Sequence, residues 1–117
     1  MKILIIGGGN MGQTYATSFL HSHIVKPEEM MILEKSESKA AELSRKNIGA
    51  IHELPEDCLP SADLIILAVK PQDSTQLFEF IRPMIDPQQV FLSIMAGIRI
   101  ESIASMLGAK KIIRAMP

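Results

Sequence analysis

The sequence predicts an α/β fold in which one parallel sheet is covered by helices on both faces. Short apolar runs alternate with helix-period segments along the whole chain of 117 residues. The run Leu64–Val69 has no polar alternation, which is typical of a strand buried on both faces. The connections between runs are short, so right-handed crossovers should join parallel strands. We therefore expect a doubly wound parallel sheet within a single three-layer domain.

Six apolar runs predict the strands. The first begins beside the N-terminus and leads into a glycine cluster, and the fourth is ended by Pro71. The third run is brief, whereas the others have the usual length of a short strand. The expected strands are Lys2–Ile6, Met30–Leu33, Gly49–Ile51, Asp63–Val69, Val90–Ile94 and Lys111–Arg114.

The first two helices are predicted from spacing and from a cap. Met11, Tyr15 and Phe19 recur every four residues within 10–22 and predict one apolar stripe. A second helix is expected over Glu37–Lys46, because Ser36 is a suitable N-cap just before it. Each helix would then pack one face on the sheet.

Two further helices are expected in the second half of the chain, where apolar residues recur at helical spacing. They are Leu77, Phe78, Ile81 and Met84 in the third helix and Ile100, Ile103, Ala104 and Leu107 in the fourth. Gly108 should end the fourth helix. The segment Pro55–Leu59 is expected to form at most one helical turn.

Composition argues against several classes of partner. The formal net charge is −1 and there is no basic block, which disfavours nucleic acid. The longest apolar runs are too short to span a bilayer, so no membrane association is expected. Met1 and Lys2 lead directly into the first strand, so no signal peptide is expected.

The chain offers little for a metal or a thiol site. Cys58 is the single cysteine, which allows no intrachain disulfide and fits a cytoplasmic location. We expect Cys58 to be a half-buried small residue rather than a reactive thiol. His21 and His23 lack accompanying cysteines or a carboxylate cluster, so no metal site is expected.

A glycine-rich turn follows the first strand. Gly7, Gly9 and Gly12 form a GxGxxG pattern between an apolar strand and a helix, the usual context of a dinucleotide-binding turn. Gly7 permits the tight turn, Gly9 lets the backbone approach a pyrophosphate, and Gly12 allows close packing of the helix. The pattern predicts a Rossmann-type cofactor site at the carboxyl ends of the strands.

The end of the second strand bears on the choice of cofactor. Glu34 lies 22 residues after Gly12, where a carboxylate usually accepts hydrogen bonds from the adenine ribose. A carboxylate would repel a 2′-phosphate and so favours NAD. Lys35 and Ser36 favour NADP, because an ammonium and a hydroxyl could hold that phosphate. Both cofactors, NADP or NAD, stay open at this point.

Further candidates follow the fourth and fifth strands. Lys70, before Pro71, is the one candidate catalytic residue, with contact to cofactor or an anionic substrate as its expected role. A surface lysine at a strand end is the alternative. Gly97, after Met95 and Ala96, indicates a place where backbone approaches a ligand, with a plain turn as the alternative.

Together these segments resemble the N-terminal domain of pyrroline-5-carboxylate reductase. The matching segments are Gly7–Gly12, Ala68–Gln72, Ser93–Ile98 and Lys111–Pro117. The first is generic, whereas the other three at these spacings are specific, and the resemblance covers the whole chain. It implies that a hydride passes from NAD(P)H to the C=N carbon of 1-pyrroline-5-carboxylate, a cyclic imino acid, giving L-proline.

The resemblance also implies roles for individual residues. Asn10, Met11 and Gly12 would bind the pyrophosphate. Ala68–Pro71 and Met95–Gly97 would line the nicotinamide ribose. Orientation and electrostatics would come from the protein, while the cofactor carries the chemistry.

The resemblance is incomplete at the C-terminus. In that family a helical second domain follows the Arg-Ala-Met-Pro segment, makes the dimer and holds the substrate carboxylate, whereas this sequence ends at Pro117. We therefore expect the chain to bind nucleotide but to have little activity by itself. We also expect weak self-association at the C-terminal edge, near Met106, Ile113 and Met116, as in a homodimer.

Two positions depart from the pattern of the family. Glu34 stands where many members have a small or neutral residue, which bears on the cofactor. Arg99 replaces a common threonine, so the helix from Ile100 should lose an N-cap worth about 1 kcal/mol.

Two alternative functions stay open. One is a non-enzymatic nucleotide-binding or redox-sensing module that kept the fold without catalysis. The other is the N-terminal domain of a coenzyme F420-dependent NADP reductase or a hydroxyacid dehydrogenase. The Ala-Val-Lys-Pro and Arg-Ala-Met-Pro segments argue against the second alternative.

Overall fold

Six parallel strands form the central sheet of the molecule. The computed structural model describes residues 1–7, 9–95, 97–109 and 111–115, with Asn10 described by its backbone only. The strands are β1 (Ile3–Ile6), β2 (Met30–Leu33), β3 (Ala50–His52), β4 (Leu64–Leu67), β5 (Val90–Ser93) and β6 (Lys111–Arg114). Their order is β3-β2-β1-β4-β5-β6, and every neighbouring pair is parallel. This order confirms the predicted doubly wound sheet, because the winding reverses direction at β1.

Four helices cover the sheet, two on each face. They are α1 (Asn10–His21), α2 (Glu37–Ser44), α3 (Pro71–Ile81) and α4 (Ile100–Leu107). Buried side chains of α1 and α2 join one core cluster, and those of α3 and α4 join the other. Along β1 the side chains alternate, so Ile3 and Ile5 enter the first cluster while Leu4 and Ile6 enter the second. The predicted three-layer architecture is therefore confirmed.

The ends of the elements differ slightly from the prediction. The strand expected over Asp63–Val69 pairs only over Leu64–Leu67, because its partner β1 ends at Ile6, opposite Leu67. The second helix ends at Ser44 rather than at Lys46. Two short 3₁₀ turns, Pro55–Asp57 and Leu59–Ser61, replace the single turn expected near Pro55, and two others lie at Pro27–Glu29 and Arg82–Met84.

The buried stripe of α1 is not the one that the apolar spacing predicts. Gly12 and Ala16 are buried against the sheet, while Tyr15 and Phe19 flank them and are only half-buried. Met11 is 44% exposed, so its assignment to the stripe was wrong. The helix is rotated because its small residues allow it to lie close to β1.

Cys58 lies deeper than expected. Its side chain is fully buried in the core cluster beneath α3, whereas the sequence predicted half-burial. Its sulfur lies 3.7 Å from the carbonyl oxygens of Leu54 and Pro55. Burial disfavours the charged thiolate and raises the pKa of Cys58 to about 11, from an ordinary value of 9.0.

Alkylation of Cys58 is therefore expected to be slow in the folded chain. At pH 8 the raised pKa lowers the thiolate fraction roughly a hundredfold, and burial blocks access as well. Iodoacetamide labelling followed by mass spectrometry, with and without urea, measures the two rates. The thiolate fraction of the folded chain should rise about tenfold per pH unit between pH 8 and 10, whereas in urea it levels off near pH 9. A folded-state rate within a few-fold of the urea rate would contradict the burial.

No helix in the described part of the chain is long and apolar enough to cross a membrane.

Candidate functional site

The loops that carry the predicted site residues lie side by side at the carboxyl edge of the sheet. At that edge Ile6 is paired with Leu33 on one side and with Leu67 on the other. The pairing continues into the loops, because the amide of Gly7 donates to the carbonyl of Leu33 at 3.0 Å. The amide of Ala68 donates to the carbonyl of Ile6 at 2.9 Å. The turns after β1, β2 and β4 thus adjoin one another, and the stretch of the carboxyl edge that they border is called the groove below.

The first and third glycines of the GxGxxG turn are required by packing. Gly7 has a φ of +111°, and a Cβ there would lie 2.7 Å from the carbonyl oxygen of Ala68. A Cβ at Gly12 would overlap the carbonyl oxygen of Gly7 and lie 3.2 Å from Cγ2 of Ile5. These two positions bring α1, β1 and the loop after β4 into contact, so they serve the fold directly.

The middle glycine has a different environment. Gly9 has an ordinary φ of −75°. A Cβ built there would have no described atom within 4 Å. Neither backbone conformation nor packing therefore requires a glycine at this position. The open space over Gly9 is a cradle that a side chain would fill, and it suits the close approach of a ligand to the backbone.

The N-terminus of α1 opens onto the same space. Gly9 is its N-cap and supplies no side-chain cap, and the first turn contains no acidic residue. The first intrahelical hydrogen bond of this end runs from the amide of Gln13 to the carbonyl of Gly9 at 3.0 Å. The preceding amides of the helix consequently face the groove with the positive end of the helix dipole. This end can accept an anionic group such as a phosphate.

The turn after β2 is the part of the groove where the sequence predicts the adenosine half of a cofactor. The Oε2 atom of Glu34 accepts a hydrogen bond from the amide of Ser36 at 3.0 Å. The Oγ atom of Ser36 accepts a longer one from the amide of Lys39 at 3.5 Å, which confirms Ser36 as the N-cap of α2. Glu34 is half-buried, whereas Lys35 is exposed.

The turn after β4 brings the next set of predicted residues to the groove. Ala68 and Val69 are half-buried, and the exposed Lys70 is the N-cap residue of α3. The carbonyl of Lys70 accepts a hydrogen bond from the amide of Asp73 at 2.9 Å. Pro71 opens the helix, where its fixed φ is favourable. The turn therefore offers a ligand mainly its backbone, since the side chain of Lys70 extends into solvent.

The turn after β5 lies one strand farther along the same edge. The amide of Met95 donates to Oγ of Ser93 at 3.3 Å, and the side chain of Met95 is buried in the core. Only the backbone of Met95 can therefore contact a ligand. Gly97 is exposed with a φ of +77°, and a Cβ there would have no described atom within 4 Å. Ala96, predicted to belong to this site, lies outside the described residues.

The sequence did not predict that two arginines at this edge line the same cavity. A shallow cavity of about 510 Å³ lies where α4 begins beside β6, and its lining residues include Arg99 and Arg114. Arg99 is the N-cap residue of α4 and makes no side-chain cap, as expected from its sequence. The sequence signal for the pair is that each arginine follows or ends a strand at the carboxyl edge. A second shallow cavity, of about 390 Å³, lies along α1 at Gln13, Thr14, Thr17 and Ser18.

A metal centre has no support in the described ranges. Within them, no group of three or more His, Cys, Asp or Glu side chains is placed so that it could hold an ion. The groups that the groove offers to a ligand are backbone amides, the N-terminus of α1, the carboxylate of Glu34 and the exposed Lys35 and Lys70.

A model of a family described as "NADP oxidoreductase coenzyme F420-dependent" matches residues 2–97. Pyrroline-5-carboxylate reductase of Aquifex aeolicus (strain VF5) is 33% identical over 118 residues, which span 100% of this chain and 42% of that protein. The chain thus spans less than half the length of this curated relative.

Solved structures of similarly named proteins share the fold. A pyrroline-5-carboxylate reductase from Coxiella burnetii superposes with a TM-score of 0.89 at 24% identity, over 99% of this chain and 43% of that one. The Plasmodium falciparum pyrroline carboxylate reductase, solved with NADP bound, superposes with a TM-score of 0.84 at 24% identity, over 100% and 42% of the two chains. At these identities the likeness establishes the Rossmann-type fold.

Proposed function

Because the family model spans residues 2–97, the chain belongs to the family of coenzyme F420-dependent NADP oxidoreductases, and we propose that it binds a nicotinamide dinucleotide at the carboxyl edge of its sheet. One observation carries this proposal. The open space over Gly9 adjoins the uncapped N-terminus of α1. A pyrophosphate fits such a site, because the backbone can approach it and the helix dipole favours its charge.

In this proposal different loops around the groove contact different parts of the dinucleotide. Gly7 shapes the turn, and the amides of Asn10, Met11 and Gly12 are the donors for the pyrophosphate. Glu34, with Lys35 and Ser36 beside it, faces the adenosine ribose. The backbones of Ala68–Pro71 and Met95–Gly97 line the nicotinamide ribose. These assignments account for every loop along this edge between β2 and β5.

The reaction that we propose for the whole protein is the reduction of 1-pyrroline-5-carboxylate to L-proline. It is supported by 33% identity to the Aquifex aeolicus reductase along the full chain. When bound, the cofactor supplies the hydride, so the protein has to bind, orient and shield the reactants. Lys70 is the one charged side chain at the turn after β4, and we assign it contact with the cofactor or an anionic substrate.

Residues 1–117 act in this proposal as the dinucleotide-binding domain. The described groove offers backbone amides for a cofactor but no enclosed pocket for a cyclic imino acid. Little turnover is therefore expected from these residues alone. The side chain of Ile113 on the edge strand β6 is 56% exposed, and Met106 on α4 is half-buried. We propose that this edge supports self-association, as in a homodimer, whereas Met116 lies outside the described residues.

A second candidate reaction is hydride exchange between NADP and coenzyme F420, which the description of the matched family favours. The segments Ala68–Pro71 and Arg114–Pro117 favour the pyrroline reductase instead, because they carry the resemblance to that enzyme. The two reactions share the same dinucleotide site. The two reactions differ in their second substrate, so an assay with each substrate distinguishes them.

Titration of the purified chain with NADH and NADPH, followed by nicotinamide fluorescence, tests the proposed site. Saturable binding of at least one dinucleotide, displaced by excess ADP-ribose, is the expected result. Addition of 1-pyrroline-5-carboxylate or of oxidised F420 then tests the reaction by loss of absorbance at 340 nm, and only slow oxidation is expected. Failure of both dinucleotides to bind would refute the proposed function, and rapid turnover would refute the need for further residues.

A further inference from the structure

The turn after β2 already holds an anion of its own. The carboxylate of Glu34 accepts the amide hydrogen of Ser36 at 3.0 Å, so it lies at the start of α2. The backbone of Glu34 is held as well, because its amide donates to the carbonyl of His52 at 2.8 Å. An anion at this position is favoured by the N-terminus of the helix. The chain thus supplies from its own side chain the negative charge that this turn can stabilise.

The backbone donor nearest to this carboxylate is already engaged. Ser36 uses its amide for Glu34, and its Oγ accepts from the amide of Lys39 at 3.5 Å. The same Oγ lies 3.2 Å from Oγ of Ser38. The exposed Lys35 could offer its ammonium group to a phosphate, but Glu34 is its immediate neighbour. A phosphate here would have to displace an internal hydrogen bond and approach a carboxylate.

The position of the turn places this carboxylate beside the proposed dinucleotide. The carbonyl of Leu33, one residue before Glu34, accepts the amide hydrogen of Gly7 at 3.0 Å. The turn after β2 therefore adjoins the glycine turn, on the side of β1 away from β4. A ribose with a free 2′-hydroxyl can donate to the carboxylate, whereas a 2′-phosphate brings like charge against it.

We propose that the carboxylate of Glu34 makes this chain select NADH over NADPH. The inference rests on the proposed dinucleotide site and adds the choice between its two cofactors. It differs from the description of the family, which names NADP. The carboxylate of Glu34 does not fit the 2′-phosphate that distinguishes NADPH, because the two groups carry like charge, while it fits the ribose diol of NADH.

Binding constants for both dinucleotides to the wild-type chain test the preference directly. We expect NADH to bind roughly tenfold more tightly than NADPH, which corresponds to about 1.4 kcal/mol. The fragments 5′-AMP and 2′,5′-ADP contain only the adenosine half, and the same order between them would locate the discrimination at this turn. Equal binding of NADH and NADPH, or tighter binding of NADPH, overturns the inference. Failure of both to bind overturns the proposed function and this inference together.

Two variants test whether Glu34 causes the preference for NADH. Glu34→Gln removes the charge at nearly constant size, and the ratio of the two binding constants should fall about tenfold. Glu42→Gln makes the same change of charge on the exposed face of α2, away from the turn, and should leave the ratio unchanged. Thermal melting of each variant checks its fold. A ratio that persists in Glu34→Gln, or falls equally in Glu42→Gln, overturns the role of Glu34.

Discussion

Gly12→Ala is expected to produce the largest loss of stability from any single added methyl group at this site. Its Cβ would overlap the carbonyl oxygen of Gly7 and press on the side chain of Ile5, and the first of these is backbone that cannot rotate away. Helix propensity alone would favour alanine by about 1 kcal/mol, but overpacking of a buried contact costs roughly 1–3 kcal/mol or more. Because the overlap is with backbone, we expect a cost at the upper end of this range, and so a net loss of about 2 kcal/mol in the free energy of unfolding.

Urea denaturation followed by circular dichroism measures this loss. Gly9→Ala is the matched control, because its Cβ meets no described atom and its φ is ordinary. That variant should unfold within about 1 kcal/mol of the wild type. Equal stability of the two variants would show that α1 does not depend on its close approach to β1.

Gly9→Val is expected to produce the largest loss of dinucleotide binding while the fold is kept. The backbone of Gly9 is extended, with φ −75° and ψ −176°, which a β-branched residue adopts without strain. Its side chain would fill the open space in which the pyrophosphate has to approach the backbone. We expect binding of NADH to weaken at least about tenfold, or about 1.4 kcal/mol.

Fluorescence titration of folded Gly9→Val with NADH measures the effect. Thr17→Val provides a control, since it places the same side chain on the exposed face of α1, two turns farther along the helix. Unchanged binding by Gly9→Val would mean that no pyrophosphate lies over the glycine turn. Equal weakening in both variants would point to a general change in the helix.

The order of elements could be predicted because short apolar runs mark the strands, and β1, β2 and β4 are apolar throughout. Leu64–Leu67 illustrates this, since Ile65 and Leu67 enter one core cluster while Leu64 and Ile66 contribute to the other, as expected of a strand covered on both faces. The orientation of α1 could not be predicted in the same way. Apolar spacing marked Met11, whereas the close contact of Gly12 with Gly7 decides which face is buried. Cys58 was misjudged for a related reason, because depth depends on the packing of distant segments.

The site was partly predictable for a similar reason. The carboxyl ends of parallel strands must share an edge, so Gly7, Glu34 and Lys70 could be grouped from the sequence alone. The hydrogen bond from the amide of Ser36 to Glu34 depends on side-chain rotamers and on the turn between them, which spacing does not specify. Arg99 and Arg114 line one cavity because β5 and β6 are neighbours in the sheet, which the spacing of the sequence likewise does not specify.

Strand β1 contributes side chains to both core clusters and has a paired strand on each side. Its amides should consequently exchange with solvent only when the whole domain opens, whereas those of β6, at the edge of the sheet, can exchange through local fraying. The glycine turn continues directly from β1, so it starts from the slowest-opening part of the chain. Local fluctuations at the outer strands can therefore occur while the turn keeps its shape.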